Sequence, residues 1–339
     1  MKAVFFNEHG PIDVLHYGDV PEPDRPPGWV KLKVRACALN FLDVFTRRGM
    51  PGIRIPLPGI TGGDCVGEIV EADRDLGGWA LGDRCLVNPA FIDDQSGHFE
   101  MMGETRAGAL AEYCVCRASQ LIRIPDPVSD TQAAAIPVAY ATAYRMLVTR
   151  GNVQPGESVL VLGASGGVGT ATMLLAKQLG AVVTAAAGSP EKCERLIALG
   201  ADAAYDYTAE AIDKYARRVT GSLFRGGGFD VVVNFTGGDT WAPSLRAVKR
   251  GGRLLTCGAT AGHAPPTDIR FIFMAEMDIK GSTGFTASEI EACLALIADG
   301  RLDPVIDRVL PLDQAIEGIR LLEERKVFGK VIIEPGNSR

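Results

Sequence analysis

A glycine-rich loop near the middle of the chain constrains the fold more than any other feature of the sequence. The apolar run Ser158–Leu162 leads into Gly163-Ala-Ser-Gly-Gly-Val-Gly169, and a helix is predicted to follow over Thr170–Leu179. Residues 159–176 carry no charge, so their length is also compatible with a membrane span. The glycines and hydroxyl side chains inside this stretch disfavour a continuous lipid-facing helix. A strand, a loop and a helix explain the same residues better.

Apolar strands alternate with helical stretches after this loop. Strands are predicted near residues 159–163, 182–187, 203–205, 230–235, 253–257 and 278–281. Their spacing is typical of right-handed βαβ units in a parallel sheet. Upstream, a helix capped by Asp130 and divided by Pro137 is predicted through residues 131–149. Downstream, the chain predicts a helix from about 286, a strand at Val305–Val309, a helix over 313–325 and a last strand, Lys330–Glu334.

The first 125 residues have a different texture and predict a β-rich unit. Val30, Leu32, Val34 and Ala36 alternate with Lys31, Lys33, Arg35 and Cys37, which predicts a strand with one solvated face. Residues 92–108 are polar and aperiodic, so a long surface lobe is expected there. The fold class is therefore α/β, with a β-rich unit beside a doubly wound parallel sheet.

The glycine loop also predicts a ligand. Gly166 allows the backbone to approach a pyrophosphate, Gly169 allows close helix packing, and the helix N-terminus offers N–H groups to an anion. Ala164 replaces the usual first glycine of the fingerprint, and a plain glycine turn is the alternative. The candidate cofactor-binding residues of this loop are Ala164, Ser165, Gly166, Gly167, Val168 and Gly169.

The tip of the second strand indicates which dinucleotide is bound. An NAD site usually carries Asp or Glu there, about 20 residues past the loop, whereas this chain reads Ala185-Ala-Ala-Gly-Ser-Pro-Glu-Lys192. Ser189 resembles an N-cap with Pro190 after it. Lys192 then lies in the first helical turn, where the helix dipole disfavours a cation unless a 2′-phosphate binds beside it. We therefore expect NADP(H), with a solvated lysine as the alternative.

Charge and cysteine usage narrow the class of protein. The net charge of −6 disfavours a nucleic-acid partner. Eight cysteines are scattered along the chain, and the short apolar run after Met1 is too brief for an export signal. Reduced thiols and a cytoplasmic protein with no membrane partner are therefore expected.

Ordered segments along the whole chain resemble the medium-chain dehydrogenase/reductase superfamily. They are MKAVFF at the N-terminus, RACALNFLDVFTRRG (35–49), GGDCVGEIV (62–70), AAAIPVAYATAYRML (133–147), the glycine loop and VFGKVII (327–333). The resemblance implies a GroES-like catalytic domain over residues 1–124, completed by 286–339, and a Rossmann NADP-binding domain over 125–285. It also implies an active site in the cleft between the domains and a homodimer formed through Rossmann edge strands.

The zinc ligands of the superfamily are missing. Its zinc alcohol dehydrogenases carry Cys, His and Cys where this chain has Asn40, Gly63 and Val138, and residues 86–113 hold none of the four cysteines of the structural zinc. Such residues cannot build a tetrahedral zinc site. Two other groups of residues contain metal-ligating side chains. Cys114 and Cys116 form one, for which core packing is the simpler explanation, and Asp93, Asp94, His98 and Glu100 form the other, which resembles a solvated acidic loop. No metal is expected.

The pattern Ala-Leu-Asn-x-x-Asp at 38–43 resembles the zinc-independent quinone oxidoreductase branch. Members of that branch transfer hydride from NADPH to a quinone or an α,β-unsaturated carbonyl compound. The resemblance favours Asn40 as a polar contact to substrate oxygen or nicotinamide ribose, Tyr140 as a donor or proton relay, and Thr142 at the nicotinamide end. A turn residue and core packing are the alternatives for Asn40 and Tyr140. Asp43 and Asp64 are expected to hold structure. Met50 replaces a Tyr that some enoyl reductases carry after this turn.

The same resemblance assigns further cofactor contacts. Tyr207, with Arg325, is expected at the adenosine 2′-phosphate, and residues after later strands are expected at the cleft: Phe235, Thr236, Gly258, Ala259, Ser282 and Thr283. Two alternative functions remain. One is an alcohol or carbonyl dehydrogenase of the same superfamily, and the other is a non-catalytic, crystallin-like NADPH-binding protein.

Overall fold

The chain divides into two compact units in the computed structural model, which describes residues 1–74, 76–92, 97–222 and 225–337. One unit comprises Met1–Ala141 with Phe285–Arg339, and the other comprises Thr142–Gly284. The sequence prediction placed the boundaries at 124/125 and 285/286. The helical residues 130–141 pack with the first unit, whereas the prediction assigned them to the second domain.

The described residues of the N-terminal part of the first unit form nine strands and two α-helices. They are β1 (Lys2–Phe5), β2 (His16–Asp19), β3 (Trp29–Ala38), α1 (Phe41–Arg48), β4 (Asp64–Glu71), β5 (Arg84–Val87), β6 (Ala90–Ile92), β7 (Phe99–Met101), β8 (Tyr113–Arg117), β9 (Leu121–Arg123) and α2 (Asp130–Ala134). Residues 136–150 are helical with wide, π-type turns that flank the short α3 (Thr142–Tyr144).

Strands and helices alternate through the second unit. They are β10 (Ser158–Val161), α4 (Gly167–Gln178), β11 (Val182–Ala187), α5 (Pro190–Ala198), β12 (Ala203–Asp206), α6 (Ile212–Thr220), β13 (Phe229–Val233), α7 (Trp241–Leu245), β14 (Val248–Thr256), α8 (Ile269–Met274) and β15 (Asp278–Gly281). The chain then returns to the first unit with α9 (Ala287–Ala298), β16 (Ile306–Pro311), α10 (Ala315–Glu323) and β17 (Lys330–Glu334).

The second unit is built on a six-stranded parallel sheet in the order β12-β11-β10-β13-β14-β15. This order reverses between β10 and β13, as in doubly wound dinucleotide-binding folds, where ligands bind beyond the carboxyl ends of the strands at such a point. The predicted α/β fold with a doubly wound sheet is confirmed. The uncharged stretch 159–176 contains the end of β10, the glycine loop and most of α4. Among the described residues, no helix is long and apolar enough to cross a bilayer.

The first unit is organised around a seven-stranded sheet in the order β16-β17-β3-β4-β5-β9, with β8 also paired to β3. Cys114 and Cys116 of β8 are both buried, so the predicted core packing of these thiols is confirmed. The prediction of one solvated face on β3 is only partly right. Lys33 and Arg35 are exposed, but Cys37 is buried and Lys31 is covered while its ammonium pairs with Glu22 and Glu71.

Local signals place some helix ends and miss others. Ser189 caps α5 as predicted, because its Oγ accepts from the backbone N–H of Lys192 at 3.3 Å. The cap of α2 is Ser129 rather than Asp130, since the Ser129 Oγ accepts from Gln132 N–H while the Asp130 carboxylate pairs with Arg35 and Arg84. Helix α4 begins at Gly167 instead of Thr170 because Gly166 already serves as its N-cap.

Candidate active site

The glycine loop leaves room for a ligand against the backbone between β10 and α4. Gly163 has φ +62°, a backbone conformation that residues other than glycine rarely adopt. A Cβ added at Gly169 would overlap the carbonyl oxygen of Gly163, so only glycine allows α4 to pack this closely. A Cβ added at Gly166 would find its nearest neighbour 3.7 Å away, so the backbone here faces open space.

The first turn of α4 completes this cradle. Helix N–H groups in the first turn have no intrahelical acceptor and carry the positive end of the helix dipole. Gly166 caps the helix without a side chain, so no side-chain oxygen occupies the position where an anion would accept these bonds. The chemistry of Ala164 to Gly169 therefore fits a pyrophosphate.

Two later loops lie against the same glycine turn. The ring of Phe235 and the hydroxyl of Thr236 are 3.3 and 3.5 Å from the Cβ position of Gly163. The Cβ position of Gly258 is 3.4 Å from the carbonyl oxygen of Phe235, and Ala259 lies beside Gly237. The structure thus brings these predicted cofactor residues together around the carboxyl ends of β10, β13 and β14.

A second group of predicted residues meets at the tip of β11. Gly188 lies next to Tyr207, whose hydroxyl is 2.8 Å from the Cβ position of Gly188. Ser189 and Lys192 follow in the cap and first turn of α5, and Lys192 is half-buried. Arg325 belongs to the first unit, where it is exposed and has φ +56° just after α10.

A cavity of about 720 Å³ opens in the second unit beyond β14 and β15. Its lining includes the predicted residues Gly258, Ala259, Ser282 and Thr283. Ser282 is 7% exposed, and its Oγ has no hydrogen-bond partner among the residues that the structure describes. A buried hydroxyl without a partner is costly unless a ligand or water satisfies it. This orphaned group, together with the glycine cradle, fits a dinucleotide laid across the ends of the strands.

In the first unit, a buried polar cluster surrounds Asn40. The Asn40 Nδ2 donates to Asp64 Oδ2 at 2.8 Å and to the carbonyl of Ala38 at 3.2 Å. The Lys330 ammonium donates to Asn40 Oδ1 at 2.6 Å, to Asp64 Oδ2 at 3.2 Å and to the carbonyl of Leu39 at 2.9 Å. Asp64 and Lys330 are at most 2% exposed. Because an ammonium only donates, it fixes which end of the Asn40 amide faces it.

Asp43 holds the turn that carries Asn40. Its carboxylate accepts from the backbone N–H groups of Asn40 at 2.7 Å and Gly62 at 2.8 Å. Burial raises the pKa of Asp43 to about 6, an effect that these two hydrogen bonds oppose and that the nearby Asp64 carboxylate reinforces. The contacts of Asp43 are those of a residue that holds structure.

The three positions that correspond to zinc ligands also gather at this cluster. Asp64 Oδ1 accepts from the backbone N–H of Val138 at 2.8 Å, and the Cβ position of Gly63 is 3.6 Å from Val138 Cγ2. An amide, a bare backbone and an aliphatic side chain provide no thiolate or imidazole ligand. Within the described ranges, no group of three His, Cys, Asp or Glu side chains could hold a metal ion. Asp93 and Asp94 of the acidic lobe lie outside the described residues.

The remaining predicted catalytic residues lie on the helical segment 136–150. Tyr140 is fully buried, and its hydroxyl accepts from the backbone N–H of Val305 at 2.8 Å. Thr142 is 9% exposed and begins the second unit. The sequence analysis did not predict Lys330 as a member of this cluster. The apolar run Val331–Ile333 directly after it is a signal that could have indicated a buried lysine.

Comparison with known families gives two matches along the chain. Residues 26–126 match the alcohol dehydrogenase GroES-like domain, and residues 167–299 match the zinc-binding dehydrogenase family. Together these matches span parts of both compact units.

Individual relatives cover nearly the whole chain. A 2-methylene-furan-3-one reductase of Solanum lycopersicum is 31% identical over 99% of this chain and 79% of its own. A quinone oxidoreductase-like protein 2 of Bos taurus is 29% identical over 92% of this chain and 86% of its own. A solved structure of an NAD-dependent alcohol dehydrogenase is 37% identical, covers 98% of this chain and 99% of its own, and has a TM-score of 0.90.

Proposed function

Because the chain belongs to the medium-chain dehydrogenase/reductase superfamily of pyridine-nucleotide oxidoreductases, we propose that it reduces quinones or α,β-unsaturated carbonyl compounds with NADPH and without a catalytic metal. The polar cluster around Asn40 carries this proposal. At the three positions where zinc ligands would stand, the chain offers a hydrogen-bonded amide, a glycine and a valine.

The absence of suitable ligands favours a conjugated acceptor over a simple alcohol. In zinc enzymes the metal polarises a carbonyl and stabilises an alkoxide. A conjugated acceptor spreads the developing charge into an enolate, which hydrogen bonds can stabilise. When bound, the nicotinamide supplies a hydride, which is two electrons and a proton, to the β-carbon of the acceptor, and a proton from water completes the reduction.

Asn40 suits a contact to the nicotinamide ribose better than one to the substrate oxygen. A carbonyl oxygen needs a donor, but the Asn40 Nδ2 already donates to Ala38 and Asp64. Its Oδ1 accepts one bond from Lys330 and keeps a second lone pair that a ribose hydroxyl can use. Asn40 then orients the cofactor, and Lys330 and Asp64 hold Asn40.

Two features of the second unit support NADPH over NADH. No carboxylate ends β11, where an NAD site accepts from the ribose 2′-hydroxyl. Lys192 and Tyr207 lie at this tip, one in the first turn of α5 and the other beside Gly188. A 2′-phosphate there would offset the unfavourable position of a cation near a helix N-terminus.

An acceptor screen tests the activity. NADPH oxidation is followed with quinones, enones, enals and secondary alcohols, and we expect turnover only with the conjugated acceptors and quinones. Asn40→Ala should lower kcat/KM at least tenfold. Lys33→Ala, which removes an exposed side chain of β3, should leave it unchanged. Unchanged turnover in Asn40→Ala would remove that residue from the mechanism.

A second candidate is an NAD-dependent alcohol dehydrogenase, which the solved structure at 37% identity favours. Oxidation of secondary alcohols with NAD⁺, restored after chelation only by added zinc, would establish this alternative and refute the metal-free proposal. Nucleotide binding without oxidation across the whole acceptor panel would instead indicate a non-catalytic protein.

A further inference from the structure

The cavity beyond β14 and β15 is basic, although the chain as a whole is acidic. Arg145 and Arg150 line it together with His263, and no aspartate or glutamate is among the described residues that line it. The thiol of Cys257, which also lines the cavity, is neutral because burial raises its pKa to about 12. The chain has 41 acidic and 35 strongly basic residues, so a cavity of this size without a carboxylate departs from its average surface.

Arg150 is anchored at the edge of the cavity. Its Nε donates to the backbone carbonyl of Gly281 at 2.9 Å. Gly281 directly precedes Ser282, whose buried hydroxyl has no partner in the described part of the chain. A guanidinium that binds the backbone through Nε keeps its two terminal nitrogens as donors for an anion.

The cavity is large enough to hold a small molecule beside the cofactor. About 720 Å³ lies within the range of roughly 300–1,000 Å³ that small-molecule sites occupy. Gly258, Ala259, Ser282 and Thr283, which are predicted to contact the cofactor at the cleft, also line it. The arginines lie on a different element, the helical segment 136–150.

The phosphates of the nucleotide are poorly placed to satisfy these arginines. The 2′-phosphate is expected at the tip of β11, and Arg150 contacts the end of β15. Four strand spacings separate β11 from β15 in the sheet, which is about 19 Å at 4.8 Å per spacing. The pyrophosphate is expected at the loop after β10, which lies three spacings, or about 14 Å, from β15. An anion that reaches Arg150 therefore comes from another molecule.

We propose that this cavity binds the acceptor and that Arg150, with Arg145, recognises a carboxylate or phosphate carried by it, so that the enzyme prefers anionic conjugated acceptors. This inference rests on the proposed conjugate reduction and adds its substrate class. The anion binds at the end of β15, where Arg150 contacts Gly281, rather than at the glycine loop.

A matched pair of enones tests the proposal. (E)-6-Oxohept-4-enoate and its methyl ester share the same conjugated ketone, and two methylene groups separate it from the charge. With wild-type protein and saturating NADPH, we expect kcat/KM for the acid to exceed that for the ester about tenfold, which corresponds to about 1.4 kcal/mol. The advantage of the acid should fall as salt is raised.

Variants assign the effect to the cavity. Arg150→Ala should lower kcat/KM for the acid about tenfold through KM and leave the ester within twofold, while Arg150→Lys should recover part of the loss. Arg217→Ala, an exposed charge of α6 outside the cavity, is the control and should change neither substrate.

Each other outcome contradicts a specific claim. Equal reduction of acid and ester, or an equal loss for both in Arg150→Ala, would overturn the anion site while the proposed function stands. A changed KM for NADPH in Arg150→Ala, with the acid preference intact, would assign the arginine to a nucleotide phosphate and overturn the inference. Reduction of neither enone would overturn the inference, and it would refute the proposed function as well if the quinones of the acceptor screen were not reduced either.

Discussion

Asp43 is a buried carboxylate whose pKa is raised from 3.8 to about 6 by burial. Between these values the folded protein binds a proton that the unfolded chain has released, so stability falls as the pH rises from 4 to 6. A shift of this size corresponds to about 3 kcal/mol, at about 1.4 kcal/mol per pKa unit. We expect urea unfolding at pH 4, 5, 6 and 7 to show this loss superimposed on the contributions of other groups.

The variant Asp43→Asn removes the titrating group while it keeps an oxygen for one of the two backbone N–H groups. Its free energy of unfolding should vary less between pH 4 and 6 than that of the wild type. If both proteins show the same pH dependence, Asp43 does not titrate in this range.

Lys330 is the only ammonium in contact with Asp64 among the described ion pairs, and both side chains are buried. Removing one partner of a buried pair leaves an uncompensated charge and costs about 3–5 kcal/mol. Lys330→Met should therefore lower the free energy of unfolding by this amount at pH 7. Adding Asp64→Asn should restore part of it. Two additive losses in this double-mutant cycle would show that the pair is not coupled.

At the scale of single elements, two glycines of the loop between β10 and α4 have different roles. Gly169 is needed for helix packing, and Gly166 is expected to leave room for the ligand. A side chain at Gly169 would collide with the Gly163 carbonyl, whereas one at Gly166 has no neighbour within 3.4 Å and its φ of −83° suits alanine. Gly169→Ala should therefore lower the melting temperature, because α4 must move away from β10.

Gly166→Ala is the matched variant in the same loop. Its melting temperature should stay within about a degree of the wild type, but the new methyl group occupies the path of the pyrophosphate, so NADPH should bind at least tenfold more weakly in a fluorescence titration. Wild-type affinity in Gly166→Ala would exclude this loop as the pyrophosphate site.

The bounds of several strands could be predicted from the local sequence alone. The strands 182–187, 278–281 and 330–334 were predicted with their observed bounds. The helix predicted through 131–149 is instead regular only over Asp130–Ala134 and Thr142–Tyr144, and π-type turns follow each of these parts. Pro137 has no N–H to donate, so it interrupts the hydrogen-bond ladder within the first wide-turned stretch, Ile136–Ala141. It does not account for the second stretch, Arg145–Arg150.

At the scale of the whole molecule, the free edge of β15 and the apolar face of α8 bear on the expected homodimer. Strand β15 ends the sheet, and Ile269 and Phe273 of α8 are about two-thirds exposed. We propose that a second copy covers these residues, since exposed strand edges and apolar side chains favour association.

Phe273→Asp should convert the dimer to a monomer, as sedimentation velocity would show. Leu81→Asp is the matched control, because Leu81 is 64% exposed, as Phe273 is, but lies in the first unit. A wild-type protein that sediments as a monomer would refute the dimer, and a Phe273→Asp dimer would place its interface elsewhere.

The sequence by itself determined the alternation of strands and helices in the second unit, the glycine loop and the Ser189 cap, because each depends on residues a few positions apart. It also identified Asn40, Gly63 and Val138 as positions that lack zinc ligands. Only the tertiary structure decided that Lys330 holds Asn40. These residues are 290 positions apart and meet because β17 pairs with β3. The cost of burying the ammonium is offset only when the carboxylate and amide are brought to it, so its role depends on the completed sheet.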